Sequence, residues 1–158
     1  MLEDLKKIDE LSVVEDKNFF YEAAFKKEDA VKIFNKLKDK DPFYFDQLID
    51  LTAIDYPSRE KRFDLVYILL SMRSNKRIIL KTSISENESP ESISHIFKSS
   101  NWYERECYDL FGIKFNNHPD LRRIMTDYNF EGHPLRKDFP LTGHTEVRYD
   151  DEVKKVVY

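Results

Sequence analysis

The chain has 158 residues, of which 41% are hydrophobic and 14% aromatic, and this is enough apolar material for one compact domain with a buried core. Acidic and basic residues nearly balance at a formal charge of -4, so the sequence lacks the basic excess that is typical of nucleic-acid-binding proteins. The single cysteine excludes an internal disulfide, a zinc site with two or four cysteines, and an iron–sulfur cluster held by four cysteines of this chain.

The first third of the chain predicts two helices separated by a strand. Apolar residues three apart predict a weak helix over 2–8, and alternating apolar residues predict a strand over 19–25. Asp29 is a suitable N-cap for the second helix. The apolar stripe of that helix is formed by Ala30, Ile33, Phe34 and Leu37.

The middle third predicts three strands. The first covers 48–56 and ends at Pro57, which cannot donate a backbone hydrogen bond. Residues 63–72 and 77–84 are rich in valine, isoleucine and leucine, and the polar turn at 73–76 between them predicts a hairpin. These strands supply most of the expected sheet.

Two helix starts follow the hairpin. Ser89 before Pro90 has the pattern of an N-cap and first helical residue, and Asn101 and Glu104 have the spacing of a capping box. The order of elements predicts an α+β fold for residues 1–112, with a mixed, mostly antiparallel sheet and helices on one face. The apolar stripe of the last helix is formed by Tyr103, Cys107, Leu110 and Phe111.

Residues 113–158 differ in character, and they predict an extended C-terminal arm that binds a partner. Glycines and prolines interrupt any regular pattern, and from 112 to 150 six acidic residues balance six basic ones. The apolar residues are too sparse for a second core, so we predict that the arm is mobile in the isolated chain and orders on a partner. Its expected anchors are Phe115, Leu121, Ile124, Tyr128, Phe130, Leu135 and Phe139.

The carboxylates at 104, 106 and 109 could form an acid–base pair, but they are also typical of a helix N-terminus and of ion pairs between subunits. No nucleophile or glycine-rich phosphate loop accompanies them. The basic pairs at 122–123 and 136–137 could bind a phosphate or a lipid headgroup. Acidic residues lie beside each pair, however, and favour pairing of the arginines with carboxylates.

Three histidines of the arm, His118, His133 and His144, could bind zinc together with Cys107. Their spacing matches no known ligand pattern, which favours histidines that pack in turns. Cys107 lies on the predicted apolar stripe and is interpreted as a small buried hydrophobic residue.

A long run of residues resembles the thirty-kilodalton subunit family of respiratory complex I, the NADH:quinone oxidoreductase. Weaker motifs of that family occur at 51–57 and 63–67. Asn117 and Asn129 stand where the family usually has glycine, and asparagine tolerates the left-handed backbone of such turns. The run consists of 101–113, 118–124, 126–128, 130–143 and 146–150.

The resemblance implies a peripheral-arm subunit without FMN, iron–sulfur cluster or quinone of its own; partner subunits are expected to hold these groups. It implies contact with the forty-nine-kilodalton-type subunit and other peripheral-arm subunits, and contact with the membrane only through the complex. We therefore predict no catalytic, cofactor or metal site in this chain. The expected interface residues are Glu104, Arg105, Glu106, Asp109, His118, Asp120, Arg122, Arg123, Asp127, Tyr128, His133, Arg136, Lys137, Asp138 and Phe139.

Three arginines, Arg122, Arg123 and Arg136, are predicted to anchor the interface, so that alanine substitution weakens assembly without lowering the melting temperature of the isolated chain. No presequence is visible, and the expected location is the matrix side of the mitochondrial inner membrane or the cytoplasmic face of a bacterial one. The alternative is the same role in a related ferredoxin- or hydrogenase-linked membrane complex.

Overall fold

A five-stranded sheet forms one layer of the domain. The computed structural model describes residues 1–143 and 146–157. The helices are α1 (Leu2–Leu5), α2 (Ala30–Asp39), which follows a 3-10 turn at Lys27–Asp29, and α3 (Ser100–Phe111). The strands are β1 (Leu11–Asp16), β2 (Phe20–Phe25), β3 (Gln47–Asp55), β4 (Phe63–Ser71), β5 (Lys76–Ile84), β6 (Arg148–Asp150) and β7 (Lys155–Val157).

The strand order of the sheet is β1-β2-β5-β4-β3. Only the β2–β5 pair is parallel, so the sheet is mixed and mostly antiparallel. The predicted α+β fold class is confirmed. No helix in residues 1–143 or 146–157 is long and apolar enough to cross a membrane.

The core lies between one face of the sheet and the helices. Alternate residues of β4 are buried on that face, and among them Tyr67 packs its ring 4.9 Å from that of Phe34 in α2. The predicted apolar stripe of α2 is confirmed, since Ile33, Phe34 and Leu37 are all fully buried. Each such side chain stabilises the fold by about 1.5–3 kcal/mol. Packing of α2 on β4 therefore accounts for a large part of the core.

Helix α3 covers the edge strand β3. The side chains of Ser99, Tyr103 and Cys107 are four residues apart and so lie on one side of the helical segment. They donate hydrogen bonds to carbonyl oxygens of β3 residues 48, 49 and 51, at 3.4, 2.7 and 3.6 Å. An open strand edge invites pairing with other chains, and these contacts protect it. They also fix the position of α3, on which the candidate site is built.

Two local predictions are wrong. No helix follows Pro90, because this segment is held extended against the start of the arm: Asn116 donates its backbone N–H to Pro90 O, and Ser92 donates to Asn116 O, each at 2.9 Å. The capping box at Asn101 is absent, because α3 begins at Ser100 and the carboxylate of Glu104 binds other groups.

The domain core continues past the predicted boundary at residue 112. Ile113 and Phe115 are 3% and 4% exposed and belong to the same core as α2 and α3. The prediction that Phe115 anchors the arm on a partner is wrong, because its ring is already buried in its own domain. Strands β1, β6 and β7 were not predicted; β1 carries a bulge, and Val13 there has a positive φ of 52°.

Candidate functional site at the junction of the third helix and the arm

Helix α3 carries three buried charged residues on a short stretch. Glu104 and Asp109 are fully buried, and Arg105 is 7% exposed. Burial of a charge is unfavourable unless polar partners replace the lost water. The partners of these three side chains therefore indicate what the stretch holds in place.

Glu104 joins α3 to the segment that precedes it. Its carboxylate accepts hydrogen bonds from the hydroxyls of Ser92 and Ser100 at 2.6 and 2.7 Å and from the backbone N–H of Ile93 at 2.8 Å. Burial raises the pKa of the Glu104 carboxyl, although these hydrogen bonds oppose the shift. Glu104 thus fastens the segment around Ser92, which itself pairs with the arm at Asn116.

His118 holds the next part of the arm against the start of α3. Its Nδ1 accepts the backbone N–H of Asp120 at 3.1 Å, so the neutral ring carries its proton on Nε2. That nitrogen lies 3.1 Å from Asn101 O, to which it donates, and 3.8 Å from the Glu104 carboxylate. Asn117, just before it, has a φ of 58°, which confirms the left-handed turn expected there.

Arg105 binds the backbone of the arm. Its guanidinium donates to Arg122 O at 3.1 Å and to Arg123 O at 3.0 Å, and it lies 5.1 Å from the centre of the Trp102 ring. A charged donor on two consecutive carbonyl groups makes a strong and directional contact. It places residues 122 and 123 beside α3.

The carboxylate of Asp109 binds the next turn of the arm, residues 123–126. It accepts the backbone N–H groups of Ile124, Met125 and Thr126 at 2.6–2.9 Å, the Thr126 hydroxyl at 2.5 Å and the Arg123 guanidinium at 2.7 Å. Burial alone would raise the pKa of the Asp109 carboxyl, but the donors outweigh burial and hold that pKa well below its usual range. The carboxylate is therefore ionised at neutral pH.

The arm also caps the C-terminal end of α3. The last carbonyl groups of a helix have no partner within it. Here Asp109 O lies 2.8 Å from Nδ1 of His133, Leu110 O accepts the backbone N–H of Leu135 at 3.0 Å, and Phe111 O accepts Nε of Arg136 at 2.6 Å. Burial lowers the pKa of His133. Three successive carbonyls of α3 thus lie against residues 133–136.

Gly112 is required for this cap. Its φ is +78°, a left-handed conformation that favours glycine at a helix end. A Cβ atom there would lie 2.7 Å from side-chain atoms of both His133 and Arg136. A larger residue would therefore have to displace the side chains of His133 and Arg136, which bind the end of α3.

A second ionic cluster, at the end of β3, was missed by sequence reasoning. The buried carboxylate of Asp55 binds Arg62 with two hydrogen bonds of 2.7 and 2.9 Å, and it accepts the backbone N–H of Lys137 at 2.8 Å. The Arg62 guanidinium lowers the pKa of Asp55. Arg62 also pairs with Asp138 at 2.9 Å, while Glu86 binds both Arg62 and Arg136. The alternation of buried residues along β3 could have pointed to Asp55.

Most predicted interface residues thus have contacts within the chain, and their place in an interface stays a prediction. Glu104, Arg105, Asp109, His118, Arg123, His133 and Arg136 hold the arm on α3. Phe139 stacks on Phe130, and Lys137 and Asp138 join the Asp55 cluster. Five of the predicted residues are partly or fully exposed: Glu106, Asp120, Arg122, Asp127 and Tyr128. Of these, Asp120 and Arg122 pair with each other at 2.9 Å.

In the part of the chain that the structure describes, no group of histidine, cysteine, aspartate or glutamate is placed to hold a metal ion. His118 and His133 each bind a backbone carbonyl of α3, and Cys107 is buried, which raises its thiol pKa. His144, the remaining member of the zinc hypothesis, lies outside the described residues.

Most of the chain matches one known protein family. Residues 23–145 match the model described as "Respiratory-chain NADH dehydrogenase, 30 Kd subunit". The chain belongs to this thirty-kilodalton subunit family. The match covers α2, strands β3 to β5, α3 and the arm as far as residue 145, so the buried cluster around α3 lies inside the family's common region.

Relatives in the family come from bacteria and mitochondria. A subunit of the NADH-quinone oxidoreductase of Paramagnetospirillum magneticum is 55% identical over 128 residues, which are 81% of this chain and 64% of that protein. "NADH dehydrogenase [ubiquinone] iron-sulfur protein 3, mitochondrial" of Candida albicans is 60% identical over 122 residues, 77% of this chain and 44% of that protein. The match therefore spans less than two thirds of the length of either relative.

The fold is also seen in a solved structure of low sequence identity. It belongs to the membrane-bound sulfane sulfur reductase, an archaeal respiratory membrane complex. The chains superpose with a TM-score of 0.76 and 22% identity, covering 98% of this chain and 95% of the other. The fold of the thirty-kilodalton subunit family is thus also found in that complex.

The contacts of Arg136 and Arg122 lead to different expectations for the two arginines. Arg136→Ala removes the donor to Phe111 O and to Glu86, and we expect it to lower the free energy of unfolding by about 2 kcal/mol. This corresponds to a melting temperature roughly 4–8 °C lower in thermal unfolding of the isolated chain. Arg122→Ala removes only an exposed pair with Asp120 and should change the melting temperature little. Equal melting temperatures for both variants would contradict the cap on α3.

Proposed function

We propose that the chain is a structural, non-redox subunit of a proton-translocating NADH:quinone oxidoreductase and has no active site of its own. Its arm, residues 113–158, clamps the forty-nine-kilodalton-type subunit near the quinone-reducing end, on the matrix or cytoplasmic side of the membrane. Partner subunits hold FMN, the iron–sulfur clusters and the quinone. The proposal is supported by the names of relatives at 55–60% identity, which favour NADH over ferredoxin or hydrogen as the electron source.

The observation that carries the proposal concerns the arm. Its polar groups bind α3, while several of its large apolar side chains remain exposed. We call the latter the arm surface: Met125, Tyr128, Leu135 and Leu141, which are 65%, 76%, 49% and 106% exposed. Exposed apolar groups that are fixed in place are typical of protein interfaces, and tyrosine is frequent among the residues that contribute most to binding.

Loss of the arm surface should prevent assembly without unfolding the chain. In the double variant Met125→Ala/Tyr128→Ala, we expect at least tenfold less chain in the assembled complex, because a contact worth about 1.4 kcal/mol changes binding tenfold. Affinity purification of the tagged chain, followed by quantitative mass spectrometry of co-purifying subunits, measures this. The melting temperature of the isolated variant should stay unchanged, since both side chains are exposed.

The matched control is Phe19→Ala/Met72→Ala, which removes an aromatic ring and a methionine that are 86% and 66% exposed outside the arm. It should assemble normally. If both double variants assemble equally well, the arm surface is not an interface. If the wild-type chain co-purifies with other subunits but not with a forty-nine-kilodalton-type subunit, the proposed partner is wrong.

The absence of redox chemistry is tested on the isolated chain. Its one cysteine is buried, and no glycine-rich nucleotide loop occurs in the sequence. We expect no visible absorbance and no NADH-dependent reduction of an artificial dye. A stoichiometric flavin, iron–sulfur cluster or zinc ion, detected by absorbance and elemental analysis, would contradict this part of the proposal.

A further inference from the structure

The arm contains one methionine, Met125, and its side chain is 65% exposed. The backbone N–H of Met125 donates to the Asp109 carboxylate at 2.6 Å, the shortest of the three backbone hydrogen bonds that this carboxylate accepts. The other two come from its neighbours Ile124 and Thr126. Because the backbone is held at all three positions, the thioether of Met125 stays at the surface of the folded chain, where a dissolved oxidant reaches it.

The other sulfur atoms of the chain belong to Met1, Met72 and Cys107. Cys107 is buried, and burial raises the pKa of its thiol, so the reactive thiolate is both scarce and enclosed. Met1 packs against the core and is partly buried. Met72 is 66% exposed, but it lies in the turn between β4 and β5, outside the arm. Met125 is thus the exposed sulfur of the arm, and Met72 is its matched reference.

A hydroperoxide oxidises an exposed thioether directly. The sulfur lone pair attacks one peroxide oxygen, the O–O bond breaks, and the other oxygen leaves as water or an alcohol. The sulfur loses two electrons and the peroxide gains them. The product, methionine sulfoxide, is polar where the thioether is apolar. A thiol-dependent reductase reverses the change: two thiols become a disulfide, and the oxygen leaves as water.

We infer that oxidation of Met125 to the sulfoxide by a hydroperoxide blocks the arm surface and so controls, reversibly, whether the chain joins its complex. Burial of the sulfoxide oxygen against an apolar partner removes its hydrogen bonds to water, which opposes binding, whereas the thioether is a favourable apolar contact. In the complex the same contact shields the sulfur, so the free chain is the form that is oxidised. The inference rests on the proposed function, because it requires the arm surface to be an interface.

Assembly during exposure to hydrogen peroxide tests the inference. The tagged full chain is expressed for a short period with or without peroxide, at a dose that oxidises Met72 in the newly made chain. Quantitative mass spectrometry then measures the co-purifying subunits and the sulfoxide at each methionine. Recovery is expressed for each variant as the ratio of treated to untreated cells, so that any effect of a substitution on assembly itself cancels. We expect this ratio to be at least about fivefold lower for the wild type and Met72→Leu than for Met125→Leu, which has no sulfur at position 125.

Equal ratios for the wild type and Met125→Leu would overturn the inference, and so would a Met125 that keeps its thioether while Met72 is oxidised. Failure of the proposed function has a different result. If Met125→Ala/Tyr128→Ala assembles poorly but the peroxide ratios are equal, the arm surface remains an interface and only the redox control is wrong. If that double variant assembles normally, the arm surface is not an interface, and the redox control is overturned with it.

A polar side chain at position 125 provides the second measurement, without an oxidant. Glutamine is similar in length to methionine sulfoxide and likewise presents a polar oxygen, so we expect Met125→Gln to lower the amount of chain recovered in the complex about fivefold. Met72→Gln is the matched control and should be recovered as the wild type. Both variants should melt at the wild-type temperature as isolated chains, since both side chains are exposed. Normal recovery of Met125→Gln would overturn the inference.

Discussion

Replacement of Asp109 by alanine is expected to release residues 124–126 from α3 while the sheet stays folded. The carboxylate is the common acceptor for three backbone N–H groups, one hydroxyl and the Arg123 guanidinium. Removal of one member of a buried charged pair usually lowers the free energy of unfolding by about 3–5 kcal/mol. Because this part of the arm lies at the surface, the freed groups can reach water, and we expect local detachment instead of global unfolding.

Hydrogen exchange on the isolated chain measures this detachment. The amides of Ile124, Met125 and Thr126 should exchange at least about 100-fold faster in Asp109→Ala, which corresponds to about 2.7 kcal/mol. The amides in the central strands β4 and β5 should keep their protection. Asp120→Ala is the matched control, since that exposed carboxylate pairs only with Arg122, and its arm should exchange as in the wild type. Unchanged exchange at 124–126 in Asp109→Ala would show that the carboxylate does not hold the arm.

The pH dependence of the arm follows from the lowered pKa of Asp109. A carboxyl whose pKa is lower in the folded chain than in the unfolded chain stabilises the fold above the unfolded value, here 3.8. That contribution is lost as the pH falls through the lower, folded pKa. The arm should therefore be released in acid, and the advantage of the wild type over Asp109→Asn should grow as the pH rises from about 2 to 5.

The same contacts set a limit to what the sequence could predict about the arm. Composition predicted that residues after 112 form no second core and are mobile in the isolated chain, which means fast hydrogen exchange throughout the arm. Asp109 of α3 binds residues 124–126, which follow it by 15 to 17 positions in the sequence. Such contacts depend on the path of the chain between them, and the periodicity of apolar residues gives no information on that path. We therefore expect slow exchange at residues 124–126 even without a partner.

The sheet and α2 were predictable for a simple reason. Strands β3 to β5 alternate or cluster apolar residues strongly, and the stripe of α2 recurs every three or four residues, so burial on one side follows directly from the sequence. The segment after Pro90 was not predictable in this way. Its N-cap pattern favours a helix locally, but backbone pairing with Asn116, 26 residues away from Pro90, holds it extended.

For the site, the sequence singled out residues of α3 and the arm as interface residues, a role that stays a prediction, but it did not reveal their contacts within the chain. The acids at 104 and 109 were interpreted as helix-end charges and interface pairs because sequence spacing alone does not reveal burial. Asp55 was overlooked although the spacing of Leu51, Ala53 and Asp55 places all three on the inner side of β3. A carboxylate at such a position needs a buried partner, and Arg62 is that partner.

Removal of the Glu104 carboxylate is expected to cause the largest loss of stability. Glu104→Ala leaves the Ile93 N–H and the hydroxyls of Ser92 and Ser100 without their acceptor, and each such loss costs about 1–3 kcal/mol. The hydroxyls can rotate toward other acceptors, so we expect a total of at least about 3 kcal/mol. Thermal unfolding should show a melting temperature lower by roughly 6–12 °C. Glu106→Ala, on the same helix but partly exposed, should change the free energy by less than about 0.5 kcal/mol.

The pH dependence of this loss has the opposite sign to that of Asp109. Because burial raises the pKa of Glu104, its contribution to stability is fully present below the unfolded value of 4.5 and falls as the pH rises through the higher, folded pKa. The advantage of the wild type over Glu104→Gln should therefore shrink between about pH 4 and pH 7, as measured by denaturant unfolding at each pH. An advantage that grows over this range would mean that the serine hydroxyls, the Ile93 N–H and His118 outweigh burial and hold Glu104 ionised.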